Sequence, residues 1–346
     1  GYQFVGWSTE PSPDGKSTYE GVNFITSDNA LPTSDTTYYA RWREIIHVGW
    51  HTNDGDWDEG GYYYRSTDSL WGDPVSPISN KVNRTGYAFL GWSTDQSATQ
   101  PDQQYVQKVT GPLTYYAVWK ANDYALTLDA NGGSWAQGVA DPPTIQATYD
   151  SVLPTEGVPV PTWTGRKFLG YNDRADGTGK AYYGANEGGT AVADPKRWDK
   201  VTPGALYAQW QVIEYPITYT CSLCEEEADG TVRICPHMDT SSLPASFTVL
   251  DLEEGSSVWV GKPEMSPGYG FDFWRAFDPG SEGSEEGASI WEVGPKRFEA
   301  KAYLEQYTVH LDAAGGAFAD DSQSTHLTYT IESDAIQLER PRWGGH

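Results

Sequence analysis

The 346-residue sequence holds little sulfur and little positive charge: 3 Cys, 2 Met, and 23 Lys plus Arg against 48 Asp plus Glu. The formal charge of −25 argues against a nucleic-acid ligand or an anionic lipid surface, since both repel an acidic chain. Long apolar runs are missing too. No window approaches the roughly 18 consecutive apolar residues of a membrane helix, so no membrane insertion is expected within this segment. No charged-then-apolar secretion signal opens the chain either. The first residue is Gly1 rather than Met, and the sequence is expected to be an internal cut from a longer chain. Catalytic signatures are also lacking. No GxSxG, HExxH, Walker or GxGxxG pattern stands in a strand-to-helix context, and the six histidines have no Ser or carboxylate partner at motif spacing. An enzyme is not expected.

What the sequence does have is rings and turns. With 15 Trp, 23 Tyr and 10 Phe against 2 Met, side-chain burial must rely on aromatics, as small β domains do. The 37 Gly and 22 Pro imply short strands joined by many loops, below the level expected of disorder.

Two phrases recur in alternation. The first is aromatic and Gly-rich: GYQFVGW (Gly1 to Trp7), GYAFLGW (Gly86 to Trp92), GRKFLGY (Gly165 to Tyr171) and GYGFDFW (Gly268 to Trp274). The second ends in Ala-x-Trp: TYYARW to Trp42, TYYAVW to Trp119, ALYAQW to Trp210, and a decayed FEAKAYL from Phe298 to Leu304. A third element opens the units, as YALTLDANGG from Tyr124 and YTVHLDAAGG from Tyr307, with a looser HVGWHTNDG from His47. Trp42 to Trp119 is 77 residues and Trp119 to Trp210 is 91. That period is too long for a solenoid repeat and long enough for a small domain.

The residue alternation supports strands. Tyr124, Leu126 and Leu128, like Tyr307, Val309 and Leu311, put one apolar row on one face. Asn131, Gly132 and Gly133 then supply residues that tolerate positive φ in a turn. In GYAFLGW, Tyr87, Phe89 and Gly91 alternate with Ala88, Leu90 and Trp92. Both faces carry apolar bulk, so this strand is expected to be central in its sheet. No long 3.6-residue period occurs, and any helix should be short.

Taken together, LDANGG (Leu128 to Gly133), Thr-Gly-Tyr-x-Phe-x-Gly-Trp (Thr85 to Trp92) and Leu-Tyr-Ala-x-Trp (Leu206 to Trp210) resemble the Listeria/Bacteroides repeat, or internalin-type B repeat, of bacterial surface proteins. The resemblance implies a mostly β (α+β) fold of small β-grasp-like, ubiquitin-related domains in tandem, arranged as an elongated array. It implies an extracellular location on the bacterial cell surface, in secreted or cell-wall-attached proteins. It also implies no catalytic residues and no required cofactor, and a role as structural stalk or adhesin. The expected partners are neighbouring repeats of the same protein and a host or bacterial surface glycan or protein.

The repeat phase divides the chain into a back half-unit at 1–43, units at 44–121, 122–213 and a divergent Cys-containing 214–305, and a front half-unit at 306–346. The two halves together make one period. They are expected to be cut from a longer chain. The alternative is a filament subunit in which one molecule's front half is completed head-to-tail by the next molecule's back half, through strand complementation.

Two groups of residues are candidate sites. Cys221, Cys224, Cys235 and His237 supply four ligands of the type that binds structural zinc tetrahedrally. If 219–224 and 231–237 form a hairpin, Cys221 lies near Cys235 and His237 near Tyr219. Cys224 has the opposite parity and joins only if the CxxC bends as a knuckle. The rivals are a Cys221–Cys235 disulfide with Cys224 left over, a CxxC disulfide, and free thiols. The second group is Trp50, Trp57, Tyr62, Tyr63, Tyr64 and Trp71 around the acidic turn of Asp54, Asp56 and Asp58. Aromatic faces beside carboxylates can bind sugar rings or a protein partner, making a carbohydrate- or glycoprotein-binding module. The alternative is that they pack a core poor in aliphatics. The acidic turn lacks an EF-hand's closing Glu and reads as solvated.

Overall fold

The computed structural model describes residues 1–11, 24–25, 32–224 and 236–343. Among the described residues, regular structure is nearly all strand. The exception is one 3-10 helix, Val249–Gly255, which opens on a capping box in which the Thr248 hydroxyl accepts from the Leu250 N–H and the Asp251 carboxylate from the Thr248 N–H.

One strand order recurs. In 122–213 the opening strand Asp123–Asp129 pairs antiparallel with Thr144–Thr148 on one side and parallel with the closing strand Gly204–Val212 on the other. The closing strand's far edge takes the phrase strand Arg166–Asn172, antiparallel. In 44–121 the corresponding strands are the second half of Tyr39–His51, then Tyr64–Leu70, Leu113–Ala121 and Tyr87–Ser93. In 214–305 they are Glu214–Cys221, Ser246–Thr248, Lys296–Leu304 and Tyr269–Ala276. Counting strands along each unit, the spatial order is second, first, fourth, third, and the central pair is parallel. A parallel pair cannot be closed by a tight turn, so most of the unit lies in the connection between its first and last strands.

The phrase strand is not central, as the alternation suggested. It forms the sheet edge in 44–121 and 214–305; in 122–213 alone it is flanked, by Ala181–Ala185. The strand in the middle is the Ala-x-Trp strand. The apolar bulk on both faces of the phrase has another cause, a β-bulge. The register slips by one residue after Phe4, Phe89, Phe168 and Phe271. An extra residue reverses the in-out alternation downstream. Residues three apart therefore share a face: ring centroids are 5.4 Å apart for Phe89 and Trp92, 5.0 Å for Phe168 and Tyr171, and 5.5 Å for Phe271 and Trp274. The glycine at the bulge has φ of 146° at Gly91 and 129° at Gly170, and a Cβ on Gly170 would collide with the Tyr183 carbonyl.

Among the described residues, three separate core clusters form, one inside each whole unit. Their largest buried side chains are Trp50, Trp198 and Trp274. Some of their buried polar atoms are paired and some are not: the Tyr171 and Tyr183 hydroxyls donate to the carbonyls of Pro159 and Pro154 at 2.6 Å each, while the indole nitrogens of Trp57 and Trp198 have no hydrogen-bond partner among the described residues. The indole Nε1 of Trp119 donates to Thr52 O at 2.8 Å and that of Trp210 to Ala130 O at 3.1 Å, tying the closing strand to the turn after the opening strand.

Candidate functional sites

In 44–121 and 122–213 the Asn of the opening element holds the turn. Asn131 and Asn53 sit at φ of 47° and 50°. The Asn131 side-chain amide donates to Ala175 O and Ala208 O at 2.8 Å each, and that of Asn53 to Gln96 O and Ala117 O at 3.1 Å each. This accounts for the Asn in the motif: it tolerates the left-handed conformation and its amide bridges the closing strand and the turn after the phrase strand.

Where one unit meets the next, the chain barely leaves extended conformation. Tyr39–His51 is one strand of 13 residues whose first half pairs with the strand Tyr2–Ser8 and whose second half opens the following sheet. Leu113–Ala121 runs into Asp123–Asp129, Gly204–Val212 into Glu214–Cys221, and Lys296–Leu304 into Tyr307–Asp312. At each joint, the first glycine of the aromatic phrase accepts from the joint's backbone: Ile45 N–H to Gly1, Asn122 to Gly86, Ile213 to Gly165 and Glu305 to Gly268, all at 2.9 Å. At three of them, a side chain of the following unit covers the glycine: Tyr149 on Gly86, Val249 on Gly165 and Ile331 on Gly268, so that any Cβ there would collide with it. These glycines have φ of 80°, 73° and 88°. Polar contacts add to the apolar ones. Tyr269 donates to Glu332 at 3.0 Å, Arg166 pairs with Glu253 at 3.6 Å, and the Arg43 guanidinium reaches Trp71 O at 2.6 Å. The sequence reading missed this role of the glycine; the available signal was its recurrence as the first residue of all four phrases.

The aromatic group around the acidic turn divides in two. Trp50 is fully buried, stacked on Tyr115 at 4.9 Å, with its Nε1 donating to Thr67 Oγ1 at 2.9 Å. Trp57 is buried between Trp92 and the Arg65 guanidinium, which lies 4.8 Å from the ring. Trp71 is half-buried against the same core, and its N–H donates to Glu44 O at the joint. These three rings are structural. Tyr62, Tyr63 and Tyr64 instead face solvent, at 86%, 63% and 46% exposure. Tyr63 packs on His51, which in turn neighbours Tyr116. Asp54, Asp56 and Asp58 are exposed, while Gly55 and Trp57 between them point inward.

The expected hairpin between 219–224 and 231–237 falls largely outside the described residues. Glu214–Cys221 pairs parallel with Lys296–Leu304 on one side, and on the other its first three residues pair with Ser246–Thr248. Beyond His237, Met238–Asp239 pairs with Glu264–Met265. His237 stacks on Tyr269 at 4.3 Å. The Cys221–Cys235 disulfide is not made: Cys221 is a free thiol, 4% exposed, and Cys224 is disulfide-bonded. Cys235 lies outside the described residues. The CxxC does bend as a knuckle, with Cys224 N–H donating to Cys221 O at 3.1 Å. The sulfurs of Cys221 and Cys224 and a ring nitrogen of His237 all lie within 4.8 Å of one another. Burial pushes the Cys221 thiol above its ordinary pKa, against the N–H groups of Leu223 and Cys224 that point at its sulfur.

Residues 47–118 and 124–194 match the Listeria-Bacteroides repeat domain. A protein of Evansella cellulosilytica provisionally named a Gly-rich membrane protein is 24% identical over 92% of the chain and 32% of its own length. Another from the same organism, provisionally named a membrane protein, is 25% identical over 84% of the chain and 38% of its own length. The chain thus spans about a third of the length of the curated relatives it matches. Among the described residues, no helix is long and apolar enough to cross a membrane.

Proposed function

We propose, from the premise that residues 47–118 and 124–194 are Listeria-Bacteroides repeat domains, that the chain is a non-enzymatic stalk or adhesive segment of a bacterial surface protein. The observation that carries this reading is the repeated joint. A chain of independent cores would serve as well on floppy linkers if only tethering were needed. Here strands run from one unit into the next, and a glycine carbonyl fastens each junction, which limits bending and suits a spacer that holds something at a distance. The strand order, with its central parallel pair, supports the β-grasp-like assignment of each unit. The names of the Evansella relatives support a place at the cell envelope, and the acidic surface suits extracellular exposure.

The test is antibody against residues 122–213 applied to intact cells producing the whole protein. Labelling without permeabilisation is expected; labelling only after permeabilisation would overturn the surface assignment. In-frame deletion of one unit should then shorten the measured distance from envelope to a distal tag, and an unchanged distance would remove the stalk role.

A second reading rests on one observation, the three consecutive exposed tyrosines 62 to 64 beside Glu59. Flat phenol rings with nearby carboxylates are suited to stacking on sugars. Glycan-array binding that disappears in Tyr62→Ala/Tyr63→Ala would support an adhesive role for 44–121, and wild-type binding no greater than the double variant's would remove it.

A further inference from the structure

We propose that residues 214–305 contain a zinc-class metal site made of Cys221, Cys224 and His237, opened when the disulfide at Cys224 is reduced. The three ligand atoms come from a strand end, a turn and a separate segment, yet they converge within 4.8 Å. Tetrahedral zinc with bonds of about 2.3 Å to sulfur and about 2.0–2.1 Å to nitrogen holds its ligand atoms roughly 3.5–3.8 Å apart. Cys224 Sγ and His237 Nδ1 already stand 3.9 Å apart. Cys221 needs a shift of the order of 1 Å at most, within the reach of a rotamer adjustment.

Local features favour metal over plain packing. The knuckle turn, closed by the Cys224 N–H on the Cys221 carbonyl at 3.1 Å, brings both sulfurs of the CxxC beside the His237 ring. The imidazole is oriented by its stack on Tyr269, and the backbone beneath it is fixed by Ser266, whose N–H donates to His237 O and whose hydroxyl donates to Pro236 O, both at 2.9 Å. Two thiolates and an imidazole are soft-to-borderline donors and select zinc over calcium or magnesium. Three protein ligands leave the fourth position to water or to another side chain.

The chemistry balances with a thiol reductant. Two equivalents of reductant thiol are oxidised to their own disulfide, and the Cys224 disulfide becomes two thiols. Zn²⁺ then displaces the protons of Cys221 and Cys224 and takes the lone pair of neutral His237, releasing two protons to solvent.

The experiment uses the whole chain, reduced with a thiol, desalted anaerobically and equilibrated with Zn²⁺ or Co²⁺. About one metal per reduced chain is expected, with the thiolate-to-cobalt charge-transfer absorption of a sulfur-ligated site. Cys221→Ser and His237→Ala should each weaken binding by at least the roughly 10–100-fold that even outer-shell losses cost. Far-UV circular dichroism reports whether each variant keeps its strands, and His237→Ala removes a half-exposed ring that no core requires. Absence of metal in the reduced wild type, undiminished affinity in a folded His237→Ala chain, or equal binding by the oxidised chain would each overturn the proposal.

Discussion

Residues 122–213 and 214–305 build the same four-strand order with different fastenings. In 122–213, Asn131 bridges the closing strand and the turn at Ala175 by its side-chain amide, and Trp210, opposite Phe168, donates back to the turn. In 214–305 the turn residue is Ser222, whose N–H donates to Ala300 O and whose hydroxyl accepts from Ala302 N–H. Ala302 stands opposite Phe271, where Trp210 would be. The bulge glycine is replaced as well, by Phe273, and the bulge persists. Backbone pairing and the parity reversal thus survive changes in the side chains that secure them. A segment with CSLCEEEADG in place of DANGG can therefore keep the topology and place cysteines around Ser222, the residue that stands where the bridging Asn would be.

The two units should part most widely in alkali. Burial pushes Tyr171, Tyr182 and Tyr183 far above the ordinary phenol value, while in 214–305 only Tyr219 is pushed as far. A raised phenol pKa means that the folded state resists ionisation, so this stability is present below the unfolded value near 10 and is lost as pH rises beyond it. Tyrosine ionisation followed by ultraviolet difference absorption should show 122–213 unfolding sharply above that value, and 214–305 losing less. Equal loss in both would break the contrast.

Core truncation comes next. Trp198→Ala should cost about 3–5 kcal/mol and unfold 122–213, leaving 214–305 intact, with Trp274→Ala giving the converse. Domain-resolved denaturation monitored by limited proteolysis would check this, and collapse of both units from one substitution would show that the cores are not separate. Asn131→Ala should cost about 1–3 kcal/mol by leaving two carbonyls without their donor, against about 0.5–1.5 kcal/mol for Ser222→Ala in the other unit. Urea midpoints of the single-unit variants would rank them. The smallest effect on folding belongs to the joint. Gly86→Ala forces a Cβ into Tyr149 at positive φ, and should cost about 1 kcal/mol while broadening the distance distribution between spin labels placed in 44–121 and 122–213.

Much of this was legible from the chain. The strands at Tyr124 and Tyr307 follow their apolar alternation, and Asn131 sits in the left-handed turn that Asn-Gly-Gly announces. The phrase strand misled because alternation presumes unbroken parity, and a bulge is defined only by the partner strand across from it. The partners of Glu214–Cys221 were hidden for a similar reason: Ser246–Thr248 and Lys296–Leu304 come from far along the chain. Of the six rings near the acidic turn, sequence could not separate the buried tryptophans from the solvent-facing tyrosines, since all lie within one short stretch. That division emerges only when Tyr115 and Trp92 arrive from later strands to cover Trp50.

Each joint is held to the strands before it by a backbone hydrogen bond, donated by Ile45, Asn122, Ile213 and Glu305, and at three joints a side chain of the following unit, Tyr149, Val249 or Ile331, closes on the accepting glycine. Amide hydrogen exchange at the three interior positions, Asn122, Ile213 and Glu305, measures directly how firmly each joint is held beneath that side chain. Protection comparable to the neighbouring strand amides is the expected result, as each N–H is held by a glycine carbonyl; exchange at the rate of an open linker would contradict the coupled array and leave only independent beads.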